Sequence, residues 1–400
     1  MGDRAAAPPS RRVRVLQVIQ NLNYGGMERV LADIVRHLDA RRFEAHVLAL
    51  EYLGKFSEGL EGVATIHLSP PMSRWSMVHP TRLIRQIRAI APDAVHSHGG
   101  VWYKASLAAR RAGVGRVIHT EHGRVLGESV TVRMADRLAS RRTDIIVAVS
   151  EAAAASLRNG IVADPSRLVV VPNGIDTERF TGTGDREGCR AALGISPDDL
   201  VIGSIGRLEP IKGYDIMLRA YRALLEQWAR PRPPVLVIAG DGSERSALER
   251  QSQAFPGGRV VFLGWRDDVH DLHAAFDFFT MSSRSEGMSI SLLEAMAAGL
   301  CPVVTDVGGN RDVLGPDLAH LLVRSADAAA LAGKWREVLL DGSARVRAAS
   351  AAVRRVRESF DVRSMVSRYE RIYRSGLLVP SQERTADCVP GGDHQSQTDE

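Results

Sequence analysis

Two carboxylates stand in a small, apolar segment, SEGMSISLLEAMAAGL (285–300), in which seven residues separate Glu286 from Glu294. Glu286 follows a predicted strand, Ser289 is a suitable N-cap for the helix that comes next, and Glu294 lies inside that helix. At a rise of ~1.5 Å per residue, the two carboxylates would lie roughly 8–12 Å apart. This separation fits the acid and base of an inverting glycosidase, which are about 6.5–9.5 Å apart. It also fits a structural role for Glu294, or two carboxylates that bind hydroxyl groups at different parts of one elongated ligand.

A cationic pair lies in SIGRLEPIKGYD (204–215), where Arg207 and Lys212 share one short loop after a predicted strand. Arg binds phosphate oxygens with a forked geometry and Lys supplies a mobile point charge, so the pair suits a diphosphate. The alternative is two solvated surface charges. Glycine-rich turns follow strands at 23–30, 239–245 and 306–312. Such turns let main-chain N–H groups and a helix N-terminus approach a phosphate, which favours the phosphate role of the pair.

Histidines end two neighbouring predicted strands, at His96, His98, His119 and His122. Alternation along a strand predicts that His96 and His119 point away from the cleft and are structural. His98 and His122 would then share the side that faces the cleft.

A second polar cluster resembles a set of metal ligands. Its members are Asp267, Asp268, His270, Asp271 and His273. They lie at a predicted helix start with no ligand from elsewhere, so we expect a solvated polar face and no metal site.

These side chains require a scaffold of parallel strands, and short β-branched runs alternate with helical segments through most of the chain. The predicted strands are 13–19, 43–50, 63–68, 93–98, 116–120, 144–150, 200–206, 234–240, 259–264, 276–282 and 301–306. The alternation breaks once, at the glycine-rich and charged segment 180–199, which we interpret as a linker. The pattern predicts an α/β protein with two doubly wound domains that face a cleft, with ligands at the carboxyl ends of the strands.

The predicted organisation has five parts. They are a disordered leader (1–10), an N-terminal domain (11–180), a C-terminal domain (181–358), an amphipathic helix (359–378) and a disordered tail (379–400). Cys189, Cys301 and Cys388 are too few and too far apart for a disulfide framework or a zinc site, which fits a reducing compartment. No apolar run approaches the ~18 residues of a membrane span, and the N-terminus lacks a signal-peptide pattern. We expect a cytoplasmic protein, with peripheral attachment to the inner face of the membrane as an open alternative.

Positive charge is concentrated in the first half, where residues 1–178 carry 24 Lys and Arg against 17 Asp and Glu. Aromatic residues make up only 5% and are not interleaved with the basic ones, which argues against nucleic acid as a partner. Two amphipathic segments, 81–93 and 131–142, combine apolar residues with rows of arginine. They could meet an anionic membrane surface that presents a polyprenyl-diphosphate-linked glycan, or they could be core-packed helices with a solvated basic face.

In order and spacing, the motifs resemble those of the retaining glycosyltransferases of family four, which have the GT-B fold. The motifs are GGMERV, VPNGID (171–176), GRLEPIKG, GDG, the E-x7-E segment and the final helix. Together with RVIHTEHGR (116–124), the E-x7-E segment looks most like bacterial exopolysaccharide sugar transferases. The resemblance implies two Rossmann-like domains and a C-terminal helix that crosses back to the first.

The resemblance also implies the substrates and the role of each site residue. Glu294 would accept hydrogen bonds from the ribose of a UDP- or GDP-sugar, and Glu286 would bind the sugar hydroxyls. Further donor-binding residues are Gly25, Gly26, Arg207, Lys212, Gly240, Asp241, Gly242, Gly287, Met288, Ser289 and Ile290. His122 would lie near the C6 hydroxyl and the reaction centre, making it catalytic together with Arg207, Lys212 and Glu286. His98 and Asn173 would lie on the acceptor side.

Metal-independent transfer is expected, because the chain contains no Asp-x-Asp motif. Arg207, Lys212 and helix dipoles would stabilise the departing diphosphate instead. The resemblance implies retention by front-side attack, in exopolysaccharide, capsule or lipopolysaccharide synthesis, with no cofactor. Two alternatives stay open, a nucleotide-sugar epimerase on the same scaffold and a transferase with a small-molecule acceptor. A dinucleotide oxidoreductase is disfavoured because NYGGMERV lacks the G-x-G-x-x-G spacing.

Overall fold

Two parallel sheets, each covered by helices, form the protein. The computed structural model describes residues 11–23, 25–71, 76, 79–123, 129–180, 184–253, 255 and 257–375. The predicted leader and tail lie outside these ranges. In the described residues, every pairing between strands of the two sheets is parallel. The predicted α/β fold with two Rossmann-like domains is therefore confirmed.

The first sheet has seven strands in the order β3-β2-β1-β4-β5-β6-β7. Its strands are β1 (Val13–Asn21), β2 (Phe43–Tyr52), β3 (Thr65–Leu68), β4 (Ala94–His98), β5 (Arg116–Glu121), β6 (Ile145–Ala148) and β7 (Leu168–Val170). The strand order changes direction between β1 and β4, where Val15 pairs with Ala94. At such a switch point the two following loops separate and leave a crevice at the carboxyl ends.

The second sheet has six strands in the order β10-β9-β8-β11-β12-β13. Its strands are β8 (Val201–Ile205), β9 (Val235–Ala239), β10 (Arg259–Gly264), β11 (Phe278–Met281), β12 (Cys301–Thr305) and β13 (Leu322–Val323). The switch point lies between β8 and β11. The loop with Arg207 and Lys212 follows β8 and the loop with Glu286 follows β11, so the topology brings both to one crevice.

Helices cover both faces of each sheet, which explains why the central strands are apolar along their whole length. The helices of the first part are α1 (Gly26–His37), α2 (Thr81–Ile90), α3 (Trp102–Ala112), α4 (Val130–Ser140) and α5 (Glu151–Arg158). Those of the second part are α6 (Arg186–Ala192), α7 (Tyr214–Glu226), α8 (Arg245–Ser252), α9 (Val269–Ala274), α10 (Ile290–Ala297), α11 (Asn310–Leu318), α12 (Ala328–Leu340) and α13 (Gly342–Ser359). No helix among the described residues is long and apolar enough to cross a bilayer.

The chain passes between the domains a second time near its end. Ile175 donates its N–H to the carbonyl of Phe360 (2.9 Å) and accepts from the N–H of Val362 (2.9 Å). The last helix, α14 (Val362–Ser375), then packs against β1 and α1 of the first domain. Its buried face includes Tyr369 and Tyr373, which reach the polar interior of the first sheet.

Three elements differ from the sequence expectation. The short edge strands β7 and β13 were not predicted, and the expected linker 180–199 contains α6. Asp185 caps α6 by accepting from the N–H of Gly188 (2.8 Å), and Arg190, 1% exposed, binds Asp277 at 2.9 Å. The charges that indicated a loop are therefore the cap of this helix and its buried ion pair.

Candidate active site

A cavity of about 680 Å³ lies between the two domains, at the carboxyl ends of the central strands. Many of the residues singled out in the sequence line it. These are Gly25, Gly26, His122, Arg207, Lys212, Gly240, Glu286, Ser289, Ile290 and Glu294. Six of the predicted donor-binding and acceptor-side residues do not line it, namely His98, Asn173, Asp241, Gly242, Gly287 and Met288. The cavity thus contains the carboxylates, the cationic pair and the first glycine turn, whereas the other six residues lie outside its lining.

The charge of Glu286 is balanced inside the cavity wall. Its Oε1 accepts from Nζ of Lys212 at 2.6 Å and from the hydroxyl of Ser283 at 2.7 Å. The side chains of Glu286 and Lys212 are 7% and 20% exposed. Lys212 therefore contacts this carboxylate directly, and its ammonium stands where it can serve a hydroxyl-bearing ligand and a phosphate together.

Glu294 has a partner from the opposite domain. Ser289 caps α10 by accepting from the N–H of Leu292 (3.3 Å), and Glu294 is a residue of this helix. It accepts from Arg29 of α1 at 3.2 Å. Burial raises the pKa of Glu294, and the charge of Arg29 partly offsets this. Sequence reasoning missed Arg29, although it lies in the GGMERV motif three residues after Gly26.

The N-terminus of α1 faces the same cavity. Gly25 is the N-cap residue and Gly26 begins the helix, and both line the cavity. Because the first N–H groups of a helix have no partner within it, this end can bind an anion. Glu28 lies beside it, and burial raises the pKa of its carboxyl while the charge of Arg207 lowers it.

Close approach of the two domains depends on Gly287. A Cβ atom at this position would overlap the main-chain carbonyl oxygen of His122, which belongs to the first domain. On its other side, the carbonyl of Gly287 accepts from the N–H of Gly309 at 3.0 Å. Gly287 is predicted to bind the donor through its main-chain amide, and the structure places it at the contact between the domains.

Asp241 and Gly242 support the loop that carries Arg207. The carbonyl of Asp241 accepts from the N–H of Leu208 at 2.9 Å, and a Cβ atom at Gly242 would contact the main chain of Leu208. The Asp241 carboxylate binds Arg245 (3.0 Å). Neither Asp241 nor Gly242 lines the cavity, and of this turn Ala239 and Gly240 reach the lining.

Asn173 and Met288 hold the two domains together. The amide of Asn173 donates to the main-chain carbonyl of Met288 at 3.2 Å, and Asn173 is 3% exposed. Asn173 was predicted to lie on the acceptor side. Its place between the domains gives it a buried contact with the loop that carries Glu286.

The four strand-end histidines do not all face the sides of the sheet that the sequence predicted. His119 packs on Trp102 with nearly parallel rings (4.1 Å between centroids), away from the cavity. His96 lies beside His98 (4.1 Å), because residues two apart on a strand face the same side. His96 was predicted to point away from the cleft, and it does not line the cavity, but it lies on the same side of the strand as His98 and not on the opposite one. His98 is fully buried and lies behind His122, with 3.0 Å between their ring nitrogens.

The polar cluster at α9 is only partly a solvated face. His273 is 1% exposed among Phe180, Phe276 and Phe279, and burial lowers its pKa to about 3. Among the described residues, no group of three or more His, Cys, Asp or Glu is arranged to hold a metal ion. Trp265, Arg266, Asp267, Val269 and His270 line the cavity. Sequence reasoning missed this contribution, whose signal was its position directly after a strand of the second sheet.

Comparisons with known proteins agree with this geometry. A model described as Glycosyltransferase Family 4 matches residues 24–179, and one described as Glycosyl transferases group 1 matches residues 185–355. The chain is 27% identical over 321 residues to the UDP-Gal:alpha-D-GlcNAc-diphosphoundecaprenol alpha-1,3-galactosyltransferase of Escherichia coli (76% of this chain, 81% of the relative). It is 30% identical to a D-inositol 3-phosphate glycosyltransferase of Geodermatophilus obscurus (69% of this chain, 66% of the relative).

Among solved structures, HepE of Anabaena in complex with UDP-glucose superposes with a TM-score of 0.78. It is 23% identical, and the match covers 90% of this chain and 98% of HepE. WaaG, a glycosyltransferase involved in lipopolysaccharide biosynthesis, has a TM-score of 0.71 at 18% identity over 90% of this chain and 100% of its own. At these identities the likeness establishes a shared fold.

Proposed function

Because the chain belongs to the family-four glycosyltransferases of the GT-B fold, we propose that it transfers a hexose from a UDP-sugar to a polyprenyl-diphosphate-linked glycan, with retention of configuration. The observation that carries the donor assignment is the pair of charge-balanced carboxylates in one interdomain cavity. The wall of this cavity contains both ion pairs, Glu286 with Lys212 and Glu294 with Arg29.

The cavity suits the two ends of a nucleotide sugar. Glu286 and Glu294 can each accept hydrogen bonds from hydroxyl groups, Glu286 from the sugar and Glu294 from the ribose. Arg207, Lys212 and the N-terminus of α1 supply positive potential from both domains for the diphosphate that joins them. The choice of UDP follows the E. coli relative, whose name specifies UDP-Gal, and HepE, which shares the fold and binds UDP-glucose.

In the transfer step, the bond between C1 of the sugar and the diphosphate oxygen breaks while the acceptor oxygen bonds to C1 on the same face. The proton of the acceptor hydroxyl passes to the departing diphosphate oxygen, so no separate base is required. Arg207 and Lys212 stabilise the charge that develops on the leaving group. We propose that these cations make a divalent metal unnecessary. Turnover that is unchanged in EDTA would agree, and turnover lost in EDTA and restored by Mg²⁺ would contradict it.

A soluble acceptor is the second candidate, because the D-inositol 3-phosphate glycosyltransferases are about as similar as the lipid-linked galactosyltransferase. The test is a panel of UDP- and GDP-sugars, offered with lipid-linked glycan, with D-inositol 3-phosphate or without an acceptor. We expect nucleoside diphosphate release with a UDP-sugar and lipid-linked glycan, and an α-linked product from an α-linked donor. Release with inositol phosphate alone would favour the second candidate. Sugar isomerisation without an acceptor would indicate an epimerase.

The surface of α4 supports an acceptor at a membrane. Val130, Met134 and Leu138 form a stripe one turn apart and are 72%, 61% and 40% exposed. The arginines of this helix turn back toward the protein, where Arg133 donates to the carbonyl of Asn159 (3.2 Å) and Arg137 to that of Gly160 (3.0 Å).

The two amphipathic segments therefore differ from each other. In α2 the apolar residues Leu83, Ile87 and Ile90 are buried, which makes it the core-packed helix of the two. We propose that the apolar stripe of α4 inserts into the lipid interface.

Flotation with anionic liposomes tests the role of α4. Met134→Asp should abolish co-flotation, because a carboxylate would replace an inserted apolar side chain. Val346→Asp is the matched control, since Val346 of α13 is 64% exposed on the other domain. If the Met134 variant floats like the control, α4 is not the membrane-binding surface.

A further inference from the structure

A row of hydrogen-bonded side chains runs from the cavity into the interior of the first domain. Nε2 of His122 lies 3.0 Å from Nδ1 of His98, and Nε2 of His98 lies 2.8 Å from Oε1 of Gln17. The amide nitrogen of Gln17 donates to the hydroxyl of Tyr373 at 3.0 Å. Of these four residues, only His122 lines the cavity.

The row continues beyond Tyr373 to a second tyrosine of α14. The Tyr373 hydroxyl lies 2.8 Å from Nδ1 of His96, and Nε2 of His96 lies 2.7 Å from the hydroxyl of Thr120. The Thr120 hydroxyl lies 3.2 Å from that of Tyr369. The helix that returns from the second domain thus contributes two hydroxyl groups to the first sheet.

The direction of these hydrogen bonds determines the tautomer of His122. Burial lowers the pKa of His96, His98 and His122, the last to about 3, so each ring is neutral and carries one N–H. Oε1 of Gln17 can only accept, so Nε2 of His98 carries the hydrogen and its Nδ1 accepts. Nε2 of His122 therefore donates, and its Nδ1 is an unprotonated acceptor. Among the described residues, this buried Nδ1 has no hydrogen-bond partner.

The orientation of the Gln17 amide determines which group donates and which accepts in every hydrogen bond of the row. Because its amide N–H points to Tyr373, the Tyr373 hydroxyl donates to Nδ1 of His96, and the N–H of His96 goes to Thr120. Turning the Gln17 amide over would reverse each bond and would place the hydrogen on Nδ1 of His122. Both directions are internally complete, so the orientation of a single amide decides which ring nitrogen of His122 carries the hydrogen.

We propose that Gln17 is a positioning residue for His122. Held by Tyr373, its amide keeps Nδ1 of His122 as the hydrogen-bond acceptor for a hydroxyl group of the bound sugar. The inference rests on the proposed function, which places the sugar in the cavity near Glu286. Glu286 accepts from hydroxyl groups of the same sugar, and Nδ1 of His122 would be a second acceptor in the lining of the cavity.

Nitrogen NMR of the full chain labelled with ¹⁵N-histidine tests the tautomer without any substrate. The His122 signals are identified by their loss in His122→Ala. We expect an unprotonated Nδ1 in the wild type and in Tyr369→Phe, which removes the last hydroxyl of the row and leaves Gln17 in place. Gln17→Leu and Tyr373→Phe remove the constraint, and their Nδ1 signal should move toward the protonated value. Tyr369→Phe is a matched control on the same helix.

Kinetics of the same variants link the tautomer to catalysis. If only one tautomer is competent, kcat/KM relative to the wild type equals the fraction of His122 with an unprotonated Nδ1, about one half when both tautomers are equally populated. A protonated Nδ1 in the wild type, or Gln17→Leu and Tyr373→Phe spectra identical to it, would overturn the proposal. An unprotonated Nδ1 that responds to both substitutions, in a wild type that uses no sugar nucleotide, would support the network and refute the proposed function.

Discussion

Replacing Lys212 with alanine should remove most of the transfer activity and only part of the stability. The substitution deletes an ammonium that binds Glu286 at 2.6 Å and leaves that carboxylate with the Ser283 hydroxyl at 2.7 Å. The loss of activity and the loss of stability have different physical causes, so the magnitude of each can be worked out separately.

The catalytic loss follows from the charge that develops on the leaving diphosphate. An ammonium ~4 Å from that charge contributes about 4 kcal/mol at an effective dielectric constant of about 20. Removal of one preorganised donor in other enzymes costs about 2.7–4 kcal/mol, or roughly 100- to 1,000-fold. We therefore expect kcat/KM of Lys212→Ala to fall by roughly 100- to 1,000-fold.

The loss of stability should be smaller. Breaking a fully buried ion pair costs about 3–5 kcal/mol and breaking an exposed one about 0–1 kcal/mol. The Lys212 side chain is 20% exposed, and Glu286 keeps its bond to Ser283, so about 1–3 kcal/mol is expected. At roughly 2–4 °C per kcal/mol, the variant should remain folded at assay temperature.

The assay measures acceptor-dependent release of nucleoside diphosphate, with melting temperatures recorded on the same samples. Lys334→Ala is the matched control, because Lys334 is 22% exposed and binds Glu337 at 2.7 Å away from the cavity. It should keep wild-type kcat/KM. If Lys212→Ala stays within about threefold of the control, Lys212 does not stabilise the leaving group and the assignment is refuted.

Three other substitutions test the contacts around the cavity. Glu294→Gln should make the affinity for UDP insensitive to acid. Burial raises the pKa of Glu294, so the wild-type carboxylate becomes protonated as the pH falls through that raised pKa, and the wild type then loses affinity for UDP. Calorimetry at a series of pH values measures this, and an unchanged pH profile would contradict it. Gly287→Ala should lower the melting temperature because its Cβ would overlap a carbonyl of the other domain, whereas Gly26→Ala, with its nearest contact at 3.5 Å, should not. Equal melting temperatures would show that the domains can separate without cost. Asp277→Ala should cost about 3–5 kcal/mol in urea unfolding, because it leaves the buried Arg190 unpaired, and a loss below about 1 kcal/mol would contradict this.

The sequence alone was sufficient for the fold class and for the region of the site. Apolar β-branched runs and helical segments alternate because strands covered on both faces must be apolar along their length. A loop that follows a central strand lies at the carboxyl edge of the sheet, so the positions of Arg207, Lys212 and Glu286 at the crevice follow from local patterns. The edge strands β7 and β13 were missed because three and two residues are too few to show a period.

Only the tertiary structure decided which groups meet. Arg29 binds Glu294 across 265 positions of sequence, and Tyr373 reaches Gln17 across 356. Such contacts depend on how the two domains and the returning helix pack, which no local periodicity encodes. Strand alternation puts His96 on the same side as His98, two residues away, but it carries no information on what covers each face. The chemistry of His122 is thus set by side chains from three distant segments, which the fold alone brings together.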